Sequence, residues 1–399
     1  MKTNIGVFFG GRSTEHEISV ISANQAMHAI DKEKYDVTPI YITKEGHWFT
    51  GEALMEIANY RDTKALLEKC TEVYMRPVYG DYNLYSTEKS MFKSQPKVAA
   101  ALDVVIPVLH GSNGEDGTFQ GVLQSIGIPF AGCDVLSSAN GMDKITMKMI
   151  LRESGIPVVD YVWFTDKQWF AQRDELVARI EEKIGYPVIV KPANLGSSVG
   201  IGRADNREAL IQKVEDAERY TSRIIVEHLV EQLQEINCSV LGNCDDYRMS
   251  VLEEPIKSGE ILSYEDKYMG GTKGAKGMQA SQKRIPADLP EEMTKYIQHL
   301  AGETFRVLSC HGVSRVDVIV DRADNMVYVN EINTIPGSLA FYLWEPCGIP
   351  YADLIDRMVK HAMEAQQDKH DSNYAYTSDI LSNISMGGKA GSKHGGLKS

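Results

Sequence analysis

Two short polar runs in the last third of the chain, Arg315-Val316-Asp317 and Glu331-Ile332-Asn333, concentrate side chains that could do chemistry. Side chains alternate along a strand, so each run puts its two polar residues on one face and its apolar residue on the other. If the segment RADNM at 322–326 is a hairpin turn, pairing centred near residue 324 sets Asp317 opposite Glu331 and Arg315 opposite Asn333. Carboxylates opposed in this way have β-carbons about 4.5–5.5 Å apart and repel unless a cation lies between them. Carboxylate and amide oxygens, without sulfur or imidazole, suit a hard ion such as Mg2+ that shares its shell with phosphate oxygens. A half-exposed hairpin with polar residues facing water has the same pattern, although Val316, Val318, Val329 and Ile332 argue for largely buried strands.

Phosphate chemistry has further candidates. Lys191 ends an apolar run, Pro187 to Val190, and the turn Gly196-Ser197-Ser198-Val199-Gly200 follows. Backbone amides of such a turn can cradle phosphates while a lysine neutralises them, but a tight hairpin using glycine at positive φ fits equally well. No G-x-x-x-x-G-K-[ST] pattern occurs, which argues against a P-loop. Lys144, in GMDKITMK, and Lys267, in SYEDKY, are two more cations for a polyphosphate, with ordinary surface lysines as the alternative. Glu15 and His110 follow predicted strands, at the carboxyl ends where open α/β sheets bind ligands; a helix cap and a satisfied loop histidine are the respective alternatives.

The elements that must carry these residues are legible as three lobes. Ile5–Phe9 reads as a strand stopped by Gly10-Gly11, and the segment from Ser13 reads as a helix. Strands at 35–43 and 103–109, the second followed by the loop HGSNGEDG and a helix near 119–126, make the first lobe α/β, over residues 1–132. A smaller α+β lobe over 133–231 has a helix around 144–152 and strands at 158–164 and 187–190. The third lobe, 232–370, has a long helix from about 290 to 307 and strands at 313–320 and 327–333. The weakly patterned segment 258–288 reads as a lid, and the glycine- and lysine-rich end, 371–399, as a mobile tail.

Composition narrows the partners. With 42 Lys and Arg against 55 Asp and Glu, the net charge of −13 disfavours nucleic acid and anionic membranes. The cysteines (Cys70, Cys133, Cys238, Cys244, Cys310, Cys347) show no CxxC spacing, which fits reduced thiols in a cytoplasmic protein. No signal-like h-region or apolar run of about 18 residues is present, so no membrane association is expected.

Taken in order, GGRSTEHEIS, HGSNGEDGTFQG, KPANLGSSVG, SYEDKY, SRVDV and VNEINTIPGS closely resemble the D-alanine–D-alanine ligase family of the ATP-grasp superfamily, over about residues 4–365. The resemblance implies a three-lobed ATP-grasp fold with a Rossmann-like N-terminal lobe and ATP between the central and C-terminal lobes. It implies ligation of two D-alanines through an acyl phosphate, for peptidoglycan synthesis, by a cytoplasmic homodimer. Lys144, Lys191, Ser198 and Lys267 would meet the ATP phosphates, Glu227 and Val230 the adenine, and Glu235 the ribose. Asp317, Glu331 and Asn333 would hold two Mg2+ ions, with Mn2+ a possible substitute. Arg315 and the backbone N–H of Gly337 would stabilise the oxyanion. Glu15 would hold the first D-alanine's ammonium in a trio with Ser197 and Tyr268, and His110 would lie beside that subsite.

This chain departs from the family pattern at two places. After the PG turn it reads GSLAFYLWEP, so that Tyr342 stands where a serine is expected for the second substrate's carboxylate, with Ser338 and Leu343 alongside. The lid, GGTKGAKGMQASQKRIPADL, is richer in glycine and lysine than the family's pattern. An acceptor such as D-serine or D-lactate is therefore the alternative within the same chemistry, and a non-catalytic ATP-binding regulator the alternative outside it.

Overall fold

The computed structural model describes residues 2–88, 96–196, 199–256 and 283–370. Sixteen strands lie in three sheets among these residues. The first sheet holds β1 (Thr3–Gly10), β2 (Tyr35–Ile42), β3 (Trp48–Thr50), β4 (Thr71–Met75), β5 (Asn83–Ser86), β6 (Val98–Ala101) and β7 (Val104–Val108), in the order β6-β5-β4-β3-β2-β1-β7. Its β2-β1-β7 part is parallel, and the remaining strands extend one edge as an antiparallel meander. The helix His16–Ala29 covers β1 with Val20, Ala23 and Met27. It starts after a sharp turn at Gly10, φ +91°, where a β-carbon would come within 2.3 Å of the Ile42 carbonyl oxygen. Ser19 locks this turn, accepting from the Gly10 N–H at 2.7 Å and donating to the Val108 carbonyl. The carboxyl ends of β1 and β7 thereby open side by side, and Glu15 and His110 sit there.

The second sheet has β8 (Tyr161–Thr165), β9 (Val188–Pro192), β10 (Gly202–Ala204) and β11 (Arg223–His228), antiparallel in the order β10-β9-β11-β8. Helices Asp166–Lys183 and Arg207–Ala217 bury one of its faces through Leu176, Ile180, Leu210 and Val214. The third sheet has β12 (Leu233–Gly242), β13 (Tyr247–Pro255), β14 (Lys283–Arg284), β15 (Gly312–Asp321) and β16 (Val327–Asn333), antiparallel in the order β14-β13-β12-β15-β16. The helix Glu291–Val307 packs Ile297, Leu300 and Phe305 against Ile236, Cys238, Val316 and Val318. Alternation then turns Glu235, Asn237, Arg315 and Asp317 to the opposite face. The C-terminal helix Tyr351–His370 returns to the first lobe, where Leu354 and Met358 join the core of β1 and its helix. No described helix is long and apolar enough to cross a membrane.

The expected lid lies mostly outside the described residues, as does the tail. The meander β3 to β6 and the helices Val135–Met142, Asp166–Lys183 and Arg207–Ala217 are not among the elements expected from the sequence, although Asp134, Thr165 and Asn206 cap these helices.

Candidate active site

The hairpin register expected for β15 and β16 is the one observed, with Arg315 beside Asn333 and Asp317 beside Glu331. A bulge follows at once, because Val318 pairs with Val329 and leaves Asn330 unpaired between Val329 and Glu331. Such an extra residue re-aims side chains. Asn330 accepts from Lys191 Nζ at 3.2 Å and Glu331 lies 3.4 Å from Lys144 Nζ, so the two neighbours reach lysines of different elements.

Across the sheet the row continues. Asn237 on β12 pairs with Asp317 on one side and Glu253 on the other, so Glu253, Asn237, Asp317 and Glu331 form one line over four strands. Arg315 reaches along its own strand to Asp317 with two bonds, Nε to Oδ1 at 2.6 Å and Nη2 to Oδ2 at 2.8 Å, while Asn333 donates to Oδ2 at 3.0 Å. Burial, together with the charges of Glu331 and Glu235, holds the Asp317 carboxyl above its ordinary range, with Arg315 pulling the other way. Burial works against the Arg315 charge, but Asp317 outweighs it and keeps the guanidinium firmly protonated. A carboxylate raised by its neighbour's charge is one that gains from a further cation. Among the described residues no group of three His, Cys, Asp or Glu is arranged to hold a metal. Two carboxylates and Asn333 fit a hard ion that takes its remaining oxygens from phosphate and water.

Facing this acidic line, the second lobe presents lysines. Asp143 caps the helix Lys144–Glu153 by accepting from the Thr146 N–H at 2.8 Å, and it also accepts from Arg223 at 2.7 Å, so the first turn is fixed. Lys144 is buried rather than superficial and donates to the Leu195 carbonyl at 2.9 Å, at the start of the glycine turn. Lys191 pairs with Glu227 at 2.7 Å and Lys148, fully buried, with the other Glu227 oxygen at 3.3 Å. Burial alone would raise the Glu227 carboxyl, but the two lysines outweigh it and hold it at about 2. Burial lowers the Lys148 ammonium despite that partner. Val230 is buried just beyond β11, and Glu235 is half-buried on β12, where Asp317 feels its charge.

The first lobe closes the third side. Gly111, φ +74°, brings its backbone so near the helix start that a β-carbon would lie 2.6 Å from a Glu15 carboxylate oxygen. The same oxygen would be 3.1 Å from a β-carbon at Gly196, so Glu15 sits against the residue that precedes Ser197. Ser197, Ser198, Lys267 and Tyr268 themselves lie outside the described residues. His110 is satisfied on both sides, Nδ1 with the Ile335 carbonyl at 2.9 Å and Nε2 with Ser22 Oγ at 2.9 Å. A carbonyl can only accept, so Nδ1 carries the proton; burial keeps the ring neutral, and Nε2 accepts from Ser22. Ser22 in turn accepts from the Ser338 N–H at 3.0 Å. Glu115 makes a parallel bridge, accepting from the N–H groups of Gly111 at 2.8 Å and Ile335 at 3.1 Å. Burial, then the Glu15 charge, pushes its carboxyl up to about 8.

The segment after β16 is shaped by these bridges. Gly337 opens a short helical turn in which Ser338, Leu339 and Ala340 all have φ between +51° and +53°. Ser338 Oγ donates to Gln25 at 2.6 Å. Tyr342 is turned to the polar row, its phenol donating to Glu253 at 3.2 Å. Leu343, by contrast, is fully buried, its carbonyl accepting from Cys347, so it packs the interior rather than lining the cleft.

Three lobes thus converge on one acidic row, one set of buried lysines and one neutral histidine bridge. The N-terminal domain model described as "D-ala D-ala ligase N-terminus" matches residues 4–133, and that described as "D-ala D-ala ligase C-terminus" matches residues 150–360. The chain belongs to the D-alanine–D-alanine ligase family. A D-alanine–D-alanine ligase of Caldicellulosiruptor bescii is 42% identical over 94% of this chain and 99% of its own length. One of Acetivibrio thermocellus is 40% identical, over 92% and 97% respectively. Among solved structures, the D-alanine–D-alanine ligase of Coxiella burnetii superposes with a TM-score of 0.76 at 30% identity, covering 93% of this chain and 96% of that one. The VanG D-Ala:D-Ser ligase of Enterococcus faecalis superposes equally well, TM-score 0.76 at 30% identity, over 91% and 100%. The fold is the family's ATP-grasp fold.

Sequence reasoning passed over Lys148, Glu115, Asn330, Asn237 and Ser22. Lys148 follows Lys144 by one helical turn and was open to recognition as its neighbour on one face. Asn330 needed the bulge, and Ser22, Asn237 and Glu115 needed partners more than ten residues away, for which the sequence holds no signal.

Proposed function

We propose that this protein ligates two D-alanines to D-alanyl-D-alanine at the expense of ATP, as a step of cell-wall peptidoglycan synthesis. The observation that carries this reading is the union of family membership over nearly the whole chain with the acidic row of β15 and β16 facing Lys144, Lys148 and Lys191. In the reaction, a carboxylate oxygen of the first D-alanine bonds to the γ-phosphorus and the bond to ADP breaks, giving an acyl phosphate. The acceptor nitrogen then bonds to the carbonyl carbon, and the C–O bond to phosphate breaks. Of the two protons the acceptor ammonium loses, one ends on phosphate and one in solvent.

Lys144, Lys148 and Lys191 are each paired with a carboxylate or a carbonyl, so a polyphosphate would replace such partners without requiring new charge in the lobe. Lys144 and Lys191 would hold it, with Ser198 and Lys267 completing the cradle, Glu227 and Val230 beside the adenine and Glu235 beside the ribose. Asp317, Glu331 and Asn333 would hold Mg2+, which when bound neutralises phosphate charge. Arg315, rigid on Asp317, would face the oxyanion together with the Gly337 N–H, donors aimed in advance at the charge that develops. Glu15 would take the first D-alanine's ammonium, with Ser197 and Tyr268, while His110 would lie beside that subsite. Tyr342 and Ser338 would border the second subsite. The family resemblance also supports a homodimer in the cytoplasm, for which light scattering is the check.

The test is phosphate release from ATP and Mg2+ with D-alanine, L-alanine, or D-alanine plus D-serine or D-lactate, with products identified by mass. D-alanyl-D-alanine from D-alanine alone is the expected product. A mixed product in preference to it would transfer the assignment to another acceptor, and no release with any of them would refute the reaction.

A further inference from the structure

The polar row of the third sheet does not end at the metal-binding pair. It runs two strands further, roughly 10 Å at ordinary strand spacing, to Glu253 on β13. Glu253 is 3% exposed and collects three polar partners. Oε2 accepts from Asn237 Nδ2 at 3.1 Å and from the Tyr342 phenol at 3.2 Å, and Oε1 pairs with Lys283 at 3.2 Å. Lys283 also stands 3.7 Å from the centre of the Tyr342 ring. The lysines of the second lobe lie at the other end of the row, against Glu331 and Asn330. Arg315 lies between, bonded to Asp317 and within the field of both Glu253 and Tyr342.

We propose that Glu253 is the ammonium-receiving residue of the acceptor subsite, with Lys283 and the Tyr342 phenol taking the acceptor's carboxylate. The inference rests on the ligation proposed above and names what its second site selects, an amino acid rather than a hydroxy acid. A zwitterion entering beside Arg315 exchanges one ion pair, Lys283 with Glu253, for two of the same kind, so neither buried charge is stranded. Lys283 is accessible enough to make that exchange, with 31% of its side chain exposed. Asn237 supplies an independent sign. Its amide nitrogen is used by Glu253, and its Oδ1 is buried with no donor among the described residues. A buried acceptor left without a donor is costly, and an ammonium beside Glu253 is a donor that would satisfy it. A hydroxy acid brings one hydroxyl proton and no charge to the same place, and leaves Glu253 less well compensated.

The experiment compares the full-length wild type with Glu253→Gln, Glu253→Asp and Tyr342→Phe. Phosphate release is followed as D-alanine is varied, which resolves separate KM values for the first and second D-alanine, and the product is assayed again with D-lactate competing. In Glu253→Gln the second KM is expected to rise roughly tenfold or more, the first KM and the ATP KM to stay within twofold, and the share of depsipeptide to increase. Glu253→Asp should recover part of the second KM. Tyr342→Phe, which keeps the buried ion pair, should raise the same constant by a few-fold, and it carries the test if Glu253→Gln does not fold. An unchanged second KM in the folded variants, or an equal rise in all three KM values, would overturn the assignment of Glu253. A wild type that forms no dipeptide would instead overturn the ligation itself.

Discussion

The second and third sheets bring opposite charges to one cleft by opposite means. On the second sheet, two buried lysines, Lys148 and Lys191, flank a single deep carboxylate, Glu227, and cation and anion come from separate elements. On the third, carboxylates lie in line across strands, and Arg315 among them is fixed by a neighbour on its own strand. In the proposed reaction the lysine side has partners that a polyphosphate would replace, whereas the carboxylate side, where burial and neighbouring charge hold Asp317 above its ordinary range, would take the metal ion. In that proposed reaction, charge for binding is held on exchangeable pairs, and charge for the transition state on a pair fixed within one strand.

Four variants break or sharpen this contrast. The largest effect is expected from Asp317→Asn with Glu331→Gln, which empties the acidic side. Mg2+-dependent phosphate release should fall by roughly a thousandfold or more, several kcal/mol of barrier, with circular dichroism unchanged. Glu227→Gln strikes the lysine side by leaving two buried ammoniums without a counter-charge, and should cost about 3–5 kcal/mol of stability in denaturant titrations. Because the Glu227 carboxyl is held at about 2, below its ordinary value, its contribution is present above that ordinary value and lost as pH falls through about 2. The variant should therefore lose less stability than the wild type over that acid range.

Arg315→Ala removes the fixed cation. Dipeptide formation should drop by about 10²–10³-fold, while ATP affinity by calorimetry stays near that of the wild type. The smallest effect is expected at Glu115, which ties the first lobe to the third. Gln cannot accept both N–H groups as the carboxyl does, so Glu115→Gln should cost about 1–3 kcal/mol. A carboxyl raised to about 8 favours the protonated fold, so wild-type stability should decline as pH climbs from the ordinary carboxylate range towards 8. In Glu115→Gln that decline should flatten in thermal melts taken across the same range.

The acidic side of the cleft was legible because it depends on one hairpin. Alternation and a five-residue turn were enough to put Asp317 opposite Glu331 and Arg315 opposite Asn333. The bulge at Asn330 was not, since one extra residue leaves no mark in composition. The lysine side was legible only as scattered lysines, and the surface position weighed as the alternative for Lys144 does not hold, because tertiary pairing buries it. Glu15 and His110 followed from their places after β1 and β7, but the Ser22 and Glu115 bridges join residues about 220 to 316 apart in sequence, beyond any local pattern. Leu343 was placed at the substrate by motif position, and in the structure it is fully buried.

That segment has a consequence for handedness. Ser338, Leu339 and Ala340 follow one another in the left-handed region, which costs an L residue roughly 1–2 kcal/mol each. Mirror-image residues prefer the same backbone angles at no such cost. If the protein were assembled by chemical synthesis, D-serine, D-leucine and D-alanine at these three positions would suit the backbone better than the natural residues, at the expense of redirecting side chains now packed for the L series. Ribosomal chains have no such option, so β-branched side chains, stiffest at positive φ, are the substitutions least open to this stretch as its sequence drifts.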